Sequence, residues 1–185
     1  MGVITYPGNE KVTVYPGGGF IIDRIQQHSI SIDHGSYTNS VAISPVDVSN
    51  AAIIWHGTYG WTNEMSSVAS FVWISVPTKV QATRLGNDQG NHTMFSIVEF
   101  YKGSVKSIQR GRITISGSDT GSDTLAKAVN VNKSVVLYLG CCSITSQPSA
   151  THPTLTLTNS TTVTANTTPG TGITLIVSYE VVEFY

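Results

Sequence analysis

The chain has 185 residues, a formal net charge of −1 and a pI near 6.5, and only 11% of its residues are charged, against ~25% in ordinary soluble domains. It carries no basic stripe to meet a nucleic acid, no apolar run near the ~18 residues of a membrane-spanning helix, and neither the basic opening nor the apolar core of a secretory signal. Ser and Thr make up about a quarter of the residues, which favours strands and turns and leaves a surface of hydroxyls and amides. From this we expect synthesis in a cytoplasm, no nucleic-acid partner and no membrane insertion. So sparse a charge suits a chain packed against other subunits.

Residues 1–24 read as an N-terminal arm or hairpin. Thr5-Tyr6-Pro7-Gly8 and Val14-Tyr15-Pro16-Gly17 echo each other, and each ends in a Pro-Gly turn signal. Lys11 to Tyr15 alternates like a strand between them. From Ile25 onward the apolar period is two: Ile30 and Ile32, then Val46 and Val48. Ala51 to Trp55 is nearly continuous, the pattern of a strand buried on both faces, and it stops at Gly57. A variable stretch, Thr58 to Ser70, separates it from Phe71–Ile74, Lys79–Thr83 and Thr93–Tyr101. Residues 102–107 read as a linker.

The second series repeats the first. Ile25-Gln26-Gln27-His28-Ser29-Ile30-Ser31-Ile32 returns as Ile108-Gln109-Arg110-Gly111-Arg112-Ile113-Thr114-Ile115, 83 positions on. Val46-Asp47-Val48 faces Val129-Asn130-Val131, Gly57 faces Gly140, and Val80-Gln81-Ala82 faces Val163-Thr164-Ala165. Both series close on the same words, Ile97-Val98-Glu99-Phe100-Tyr101 and Val181-Val182-Glu183-Phe184-Tyr185, now 84 apart. The period exceeds the ~20–50 residues of a solenoid unit. The expectation is an all-β fold: two tandem β-sandwich domains of about six strands each, residues 25–101 and 108–185, behind the arm. Units this small lean on each other or on neighbouring subunits.

No residue pattern points to catalysis. There is no Gly-x-Ser-x-Gly elbow, and Gly17-Gly18-Gly19 lacks the Lys-Ser/Thr of a phosphate loop. His28 and His34 have no metal-ligand spacing with Asp33 or Asp47. Glu99 and Glu183 hold the same place in both copies, which suits a structural pairing with Lys or an edge strand. Adjacent Cys141 and Cys142 read as free thiols facing opposite sides of a strand. No enzyme activity, metal or cofactor is expected. The suggestive cluster is Trp55, Tyr59, Trp61, Asn63 and Glu64, with His56 beside it. Such groups stack on and hydrogen-bond a sugar, and the same aromatics also serve an interface between subunits.

Val105-Lys106-Ser107-Ile108-Gln109-Arg110-Gly111, Asn130 to Gly140, Leu155 to Ala165 and Val177 to Tyr185 together resemble a small all-β module in virion structural proteins of tailed bacteriophages. The resemblance covers about 78 residues of the second copy and reaches the first through the repeat. The first copy departs from it at His28, which stands where the second has Gly111, and in the stretch holding Trp61 and Glu64. The resemblance implies a virion protein, with a capsid decoration (cement) protein on the head exterior favoured; the alternative is a short tail-tip or fibre-associated protein binding a host-surface glycan. It implies the major capsid protein or other virion subunits as partners, a homo-oligomer with a trimer favoured, and a place on the virion surface.

Overall fold

The structure, a computed structural model, describes residues 3–5, 11–13, 21–60, 69–86, 89–143, 153–167 and 174–185. Among them β1 (Val3–Thr5) and β2 (Lys11–Thr13) form an antiparallel pair within the arm. The next six strands are β3 (Ile22–Ile32), β4 (Thr38–Ala42), β5 (Ala51–Gly60), β6 (Phe71–Val76), β7 (Lys79–Thr83) and β8 (Asn91–Phe100). They are followed by β9 (Val105–Ser116), β10 (Thr120–Thr124), β11 (Ser134–Ser143), β12 (Thr154–Asn159), β13 (Thr162–Asn166) and β14 (Thr174–Phe184). A single 3-10 turn, Val131–Lys133, completes the regular structure among these residues.

The molecule is all-β and built of antiparallel sheets packed as sandwiches. Strand order repeats with the sequence. The order β3-β8-β5 in the first half matches β9-β14-β11 in the second, and β4-β7-β6 matches β10-β13-β12. The halves share one sheet, because β6 meets β11 at the pair Phe71–Gly140. The result is a continuous six-stranded order, β4-β7-β6-β11-β14-β9.

Alternation sets the core. Ile30 and Ile32 of β3, Val80 and Ala82 of β7, and Phe95 and Ile97 of β8 are all buried in one cluster. Their counterparts Ile113, Ile115, Val163, Ala165, Tyr179 and Val181 form a second cluster. Leu139 of β11 crosses into the first core. A third, smaller cluster joins the halves: Ala52, Val105 and Val182, with Phe100, Ile108, Leu137 and Phe184 packed around them.

Three expectations need correction. First, the near-continuous apolar strands are not buried on both faces throughout: Ile53 is fully buried but Ile54 is 44% exposed and Val135 42%. The outward face of each strand is covered only where the halves touch. Second, Gly57 and Gly140 do not end their strands. Both have positive φ, 127° and 95°, and sit at register shifts, so each is a bulge inside a strand that runs on to Gly60 or Ser143. Third, Val46–Val48 and Val129–Val131 are not strands. The Asp47 carboxylate accepts the Ser49 N–H at 3.0 Å and the Asn130 side chain accepts the Asn132 N–H at 3.0 Å. The same side-chain turn thus replaces the ladder in both copies. Strand bounds also differ: β3 takes in residues assigned to the arm and β9 takes in residues 105–107 of the linker.

The burial contrast within β5 is testable by urea titration. Ile53→Ala and Leu139→Ala each remove a fully packed side chain and are expected to cost about 2–5 kcal/mol. Ile54→Ala is expected to cost under about 1 kcal/mol. Equal losses at positions 53 and 54 would contradict the assigned faces.

Candidate functional site

Along β14, Leu175, Val177, Tyr179 and Val181 enter the second core. Ser178, Glu180 and Val182 therefore point to the opposite face, where the first half lies. Glu180 is fully buried there. One carboxylate oxygen accepts the Arg110 Nε–H at 2.8 Å, and the other accepts the backbone N–H of Ile53 at 2.8 Å. Arg110 also donates from Nη1 to the Val48 carbonyl at 2.9 Å and from Nη2 to that of Ala51. β5 is the edge of its sheet, and Ile53 turns its N–H away from β8. One ion pair thus caps a strand edge and ties the halves. Burial raises the Glu180 carboxyl above the ordinary range, against the pull of the Arg110 charge and the Ile53 N–H.

Aromatics extend the junction. Trp55 meets Tyr138 edge-on, with ring centroids 5.2 Å apart, and Phe100 meets Phe184 edge-on at 5.7 Å. Each pair is one position of the repeat touching its own counterpart. Gly140 lies against the backbone of Ser70 and Phe71, where a Cβ would run into the Ser70 carbonyl, while Gly57 faces open space. Arg112 lays its guanidinium over two rings of β6, 4.3 Å from Trp73 and 4.9 Å from Phe71. A cavity of about 260 Å³ opens beside this stack, between the Trp73 side of β6 and Ser178 and Tyr179 of β14.

The floor of that cavity explains the departure at His28 and Gly111. Gly111 pairs with Tyr179 across the strands, and a Cβ at Gly111 would strike the Tyr179 hydroxyl, which donates to Asp123 at 2.8 Å. In the first half His28 pairs with Phe95, and their rings stack with centroids 5.9 Å apart. A ring-on-ring contact there is replaced here by one larger ring lying over a glycine. Burial, followed by Asp123, pushes the Tyr179 hydroxyl up.

Of the sugar-contact residues expected from the sequence, Trp55 and Tyr59 are described; Trp61, Asn63 and Glu64 lie outside the described residues. Trp55 aligns with Phe95 and packs against the first core. Tyr59, past the bulge, stacks on His92 at 4.9 Å on the outer face and is 52% exposed. The two aromatics therefore lie on opposite faces of β5 and form no single platform. His56 sits 2.7 Å from the Ser96 hydroxyl. The structural reading of the paired glutamates fits the geometry: Glu99 pairs with Arg24 at 3.0 Å and Glu183 with Lys106 at 2.9 Å.

Cys141 and Cys142 are free, but both are buried, since β11 is covered on both faces at this point. Burial pushes their thiols up to about 11 and about 12, so they stay protonated near neutral pH and are poor nucleophiles. Among the described residues no group of three or more His, Cys, Asp or Glu is placed to hold a metal ion. No family model, curated protein or solved structure matches the chain.

Arg110, Arg112, Glu180, Trp73 and Ser178 were not anticipated. The signal was present in the repeat: Arg110 and Arg112 stand where the first copy has Gln27 and Ser29, and Glu180 where it has Ser96. A charge in one copy facing a neutral group in the other marks a place where the scaffold's environment differs.

Two measurements check this geometry. Arg110→Ala strands the Glu180 carboxylate and is expected to cost about 3–5 kcal/mol in urea titration, with part recovered when Glu180→Gln is added. A double variant as unstable as the sum of the singles would contradict the pairing. Glu183 gives the pH test. Burial pushes its carboxyl up, but the Asn130 N–H, Lys106 and Ser107 together hold it below the ordinary range. Its stabilising contribution is full above the unfolded value of about 4.3 and is lost as pH falls through the depressed folded value. Glu183→Gln should therefore be less stable than wild type at pH 7, with the gap closing as the solution is acidified.

Proposed function

We propose that the chain is a structural protein of a tailed-phage virion, a capsid decoration protein seated on the head exterior. Its work is contact rather than chemistry: many modest interfaces over several subunits sum to high avidity. The sequence resemblance and the sparse charge support this reading. The observation that carries it is the outer face of β3-β8-β5. Ile25 (52% exposed), Ile54 (44%), Met94 (44%) and Tyr59 (52%) all lie there. Of their counterparts on β9-β14-β11, Ile108 and Leu137 pack in the cluster between the halves and Ser178 is buried. A face that takes a second sandwich inside the chain is covered in the other half only at its Ala52 and Phe100 end, and four large apolar groups stay exposed on the rest of it. Exposed apolar groups gathered on one face mark an interaction site more than singly scattered ones do. Subunits of the head shell are the occupants we assign to it. Assembly as a homo-oligomer, a trimer favoured, multiplies the contact.

The test mixes purified protein with undecorated heads. The double variant Ile54→Glu, Met94→Glu is expected to keep its urea midpoint, because both side chains are exposed, and to lose occupancy on heads. Decoration equal to wild type would overturn the assigned face. Failure of the wild-type protein to bind heads, together with binding on a glycan array, would overturn the decoration reading in favour of a tail-tip or fibre-associated glycan binder.

A further inference from the structure

We infer that the junction cavity is a binding site for one carboxylate group of the size of a glutamate side chain, gripped by Arg112. Two independent features point there. The first is the state of Arg112. Its guanidinium lies over Trp73 and Phe71, and among the described residues it forms no ion pair and no hydrogen bond. Stacking on an aromatic face holds the planar group while leaving its N–H edge free, and that edge matches a carboxylate with two parallel bonds.

The second feature is Ser178. It is only 3% exposed, it lines the cavity, and among the described residues its hydroxyl has no hydrogen-bond partner. Its oxygen keeps contact with the open cavity, where a ligand can bond it without displacing a protein partner. Arg112 and Ser178 belong to β9 and β14 and are directly paired across the two strands. Both can donate toward one acceptor.

The other charge lining the cavity is already answered. Arg110 lines it but is neutralised by Glu180. Asp123, behind the Tyr179 ring, accepts a hydrogen bond from the phenol and does not line the cavity. Cys142, the thiol next to Arg112 in the field of that charge, is protonated near neutral pH. Of the two charged groups that line the cavity, Arg112 therefore has no ion-pair partner among the described residues, and it stands beside walls made by Trp73, Ile74 and Leu139. A volume of about 260 Å³ lies below the ~300–1,000 Å³ of drug-sized pockets, so the fitting ligand is a short aliphatic acid. The first copy has Ser29 for Arg112, Met94 for Ser178 and, in the other direction, Thr156 replaces Trp73 in the second. The site therefore exists once per chain, at the junction.

The experiment is a titration of the full chain, at constant ionic strength in chloride, followed by the NMR signals of the Trp73 indole N–H and the Arg112 Nε–H. The probes are propionate, N-acetyl-glutamate N-methylamide and the neutral analogue propionamide. Both acids are expected to give saturable shifts below about 100 mM, as a site in the millimolar range requires, and propionamide none. Tighter binding of the blocked glutamate assigns the group to a protein side chain, and tighter or equal binding of propionate assigns it to a free acid. Arg112→Gln should weaken binding at least about tenfold, Arg112→Lys should weaken it less, and Ser178→Ala about threefold. The rest of the amide spectrum should stay unchanged, which separates a lost site from a lost fold. Saturation by propionamide at the same concentration, or an Arg112→Gln variant that binds like wild type, would overturn the inference.

Discussion

The junction depends on the buried pair Arg110–Glu180. β5 ends a three-stranded sheet, and an edge strand presents backbone donors and acceptors that must find partners if they are buried. Here they find side chains. Glu180 takes the Ile53 N–H, and Arg110 takes the Val48 and Ala51 carbonyls. The strand edge is finished by an ion pair from the other half of the chain, so the halves meet in one register. Buried pairs contribute little net stability once desolvation is counted, and removing one partner is costly. The pair's role is accordingly to fix how two apolar surfaces meet. The surfaces themselves, Ala52 and Val182 with the Phe100–Phe184 contact, supply the burial.

The two halves repeat one strand order and differ where they meet. Core positions stay matched because both sandwiches must fill the same interior. Positions at the junction diverge where one copy offers a sheet face and the other an edge, while the Phe100–Phe184 contact keeps one residue in both. Leu139 enters the first core, whereas its counterpart His56 stays outside and meets Ser96. Gly140 must be glycine twice over, for its φ and for the Ser70 carbonyl against it, while Gly57 answers only to φ. Exposed Ile54 and Met94 show the reverse: a face whose counterpart is covered within the chain and which remains open in this half.

Alternation made the cores legible in the sequence, since a period of two assigns a face to every residue of a strand. Ile30, Ile32, Val80 and Ala82 with their counterparts were readable for that reason. Two local devices were not. A bulge glycine and a strand-ending glycine look alike in sequence, and only the ladder on both sides of Gly57 and Gly140 tells them apart. The turns at Asp47 and Asn130 keep apolar neighbours at strand spacing while a side chain breaks the strand. For the site, Trp55 and Tyr59 were chosen for their chemistry, but the bulge between them reverses the face. Charges met across the junction were invisible to any single-strand pattern, because Arg110 and Glu180 gain their meaning from Ile53, which lies on the far side of the repeat.

The backbone amide of Ile53 is the most direct probe of the junction. It lies on a sheet edge and takes no bond from the β8 ladder, so its one hydrogen bond is to the Glu180 carboxylate. Native-state hydrogen exchange reads that single amide. If the pair locks the two halves, Ile53 exchanges as slowly as amides in the ladder of β8, such as that of Ile97. Exchange at the rate of an open edge-strand amide would contradict the account.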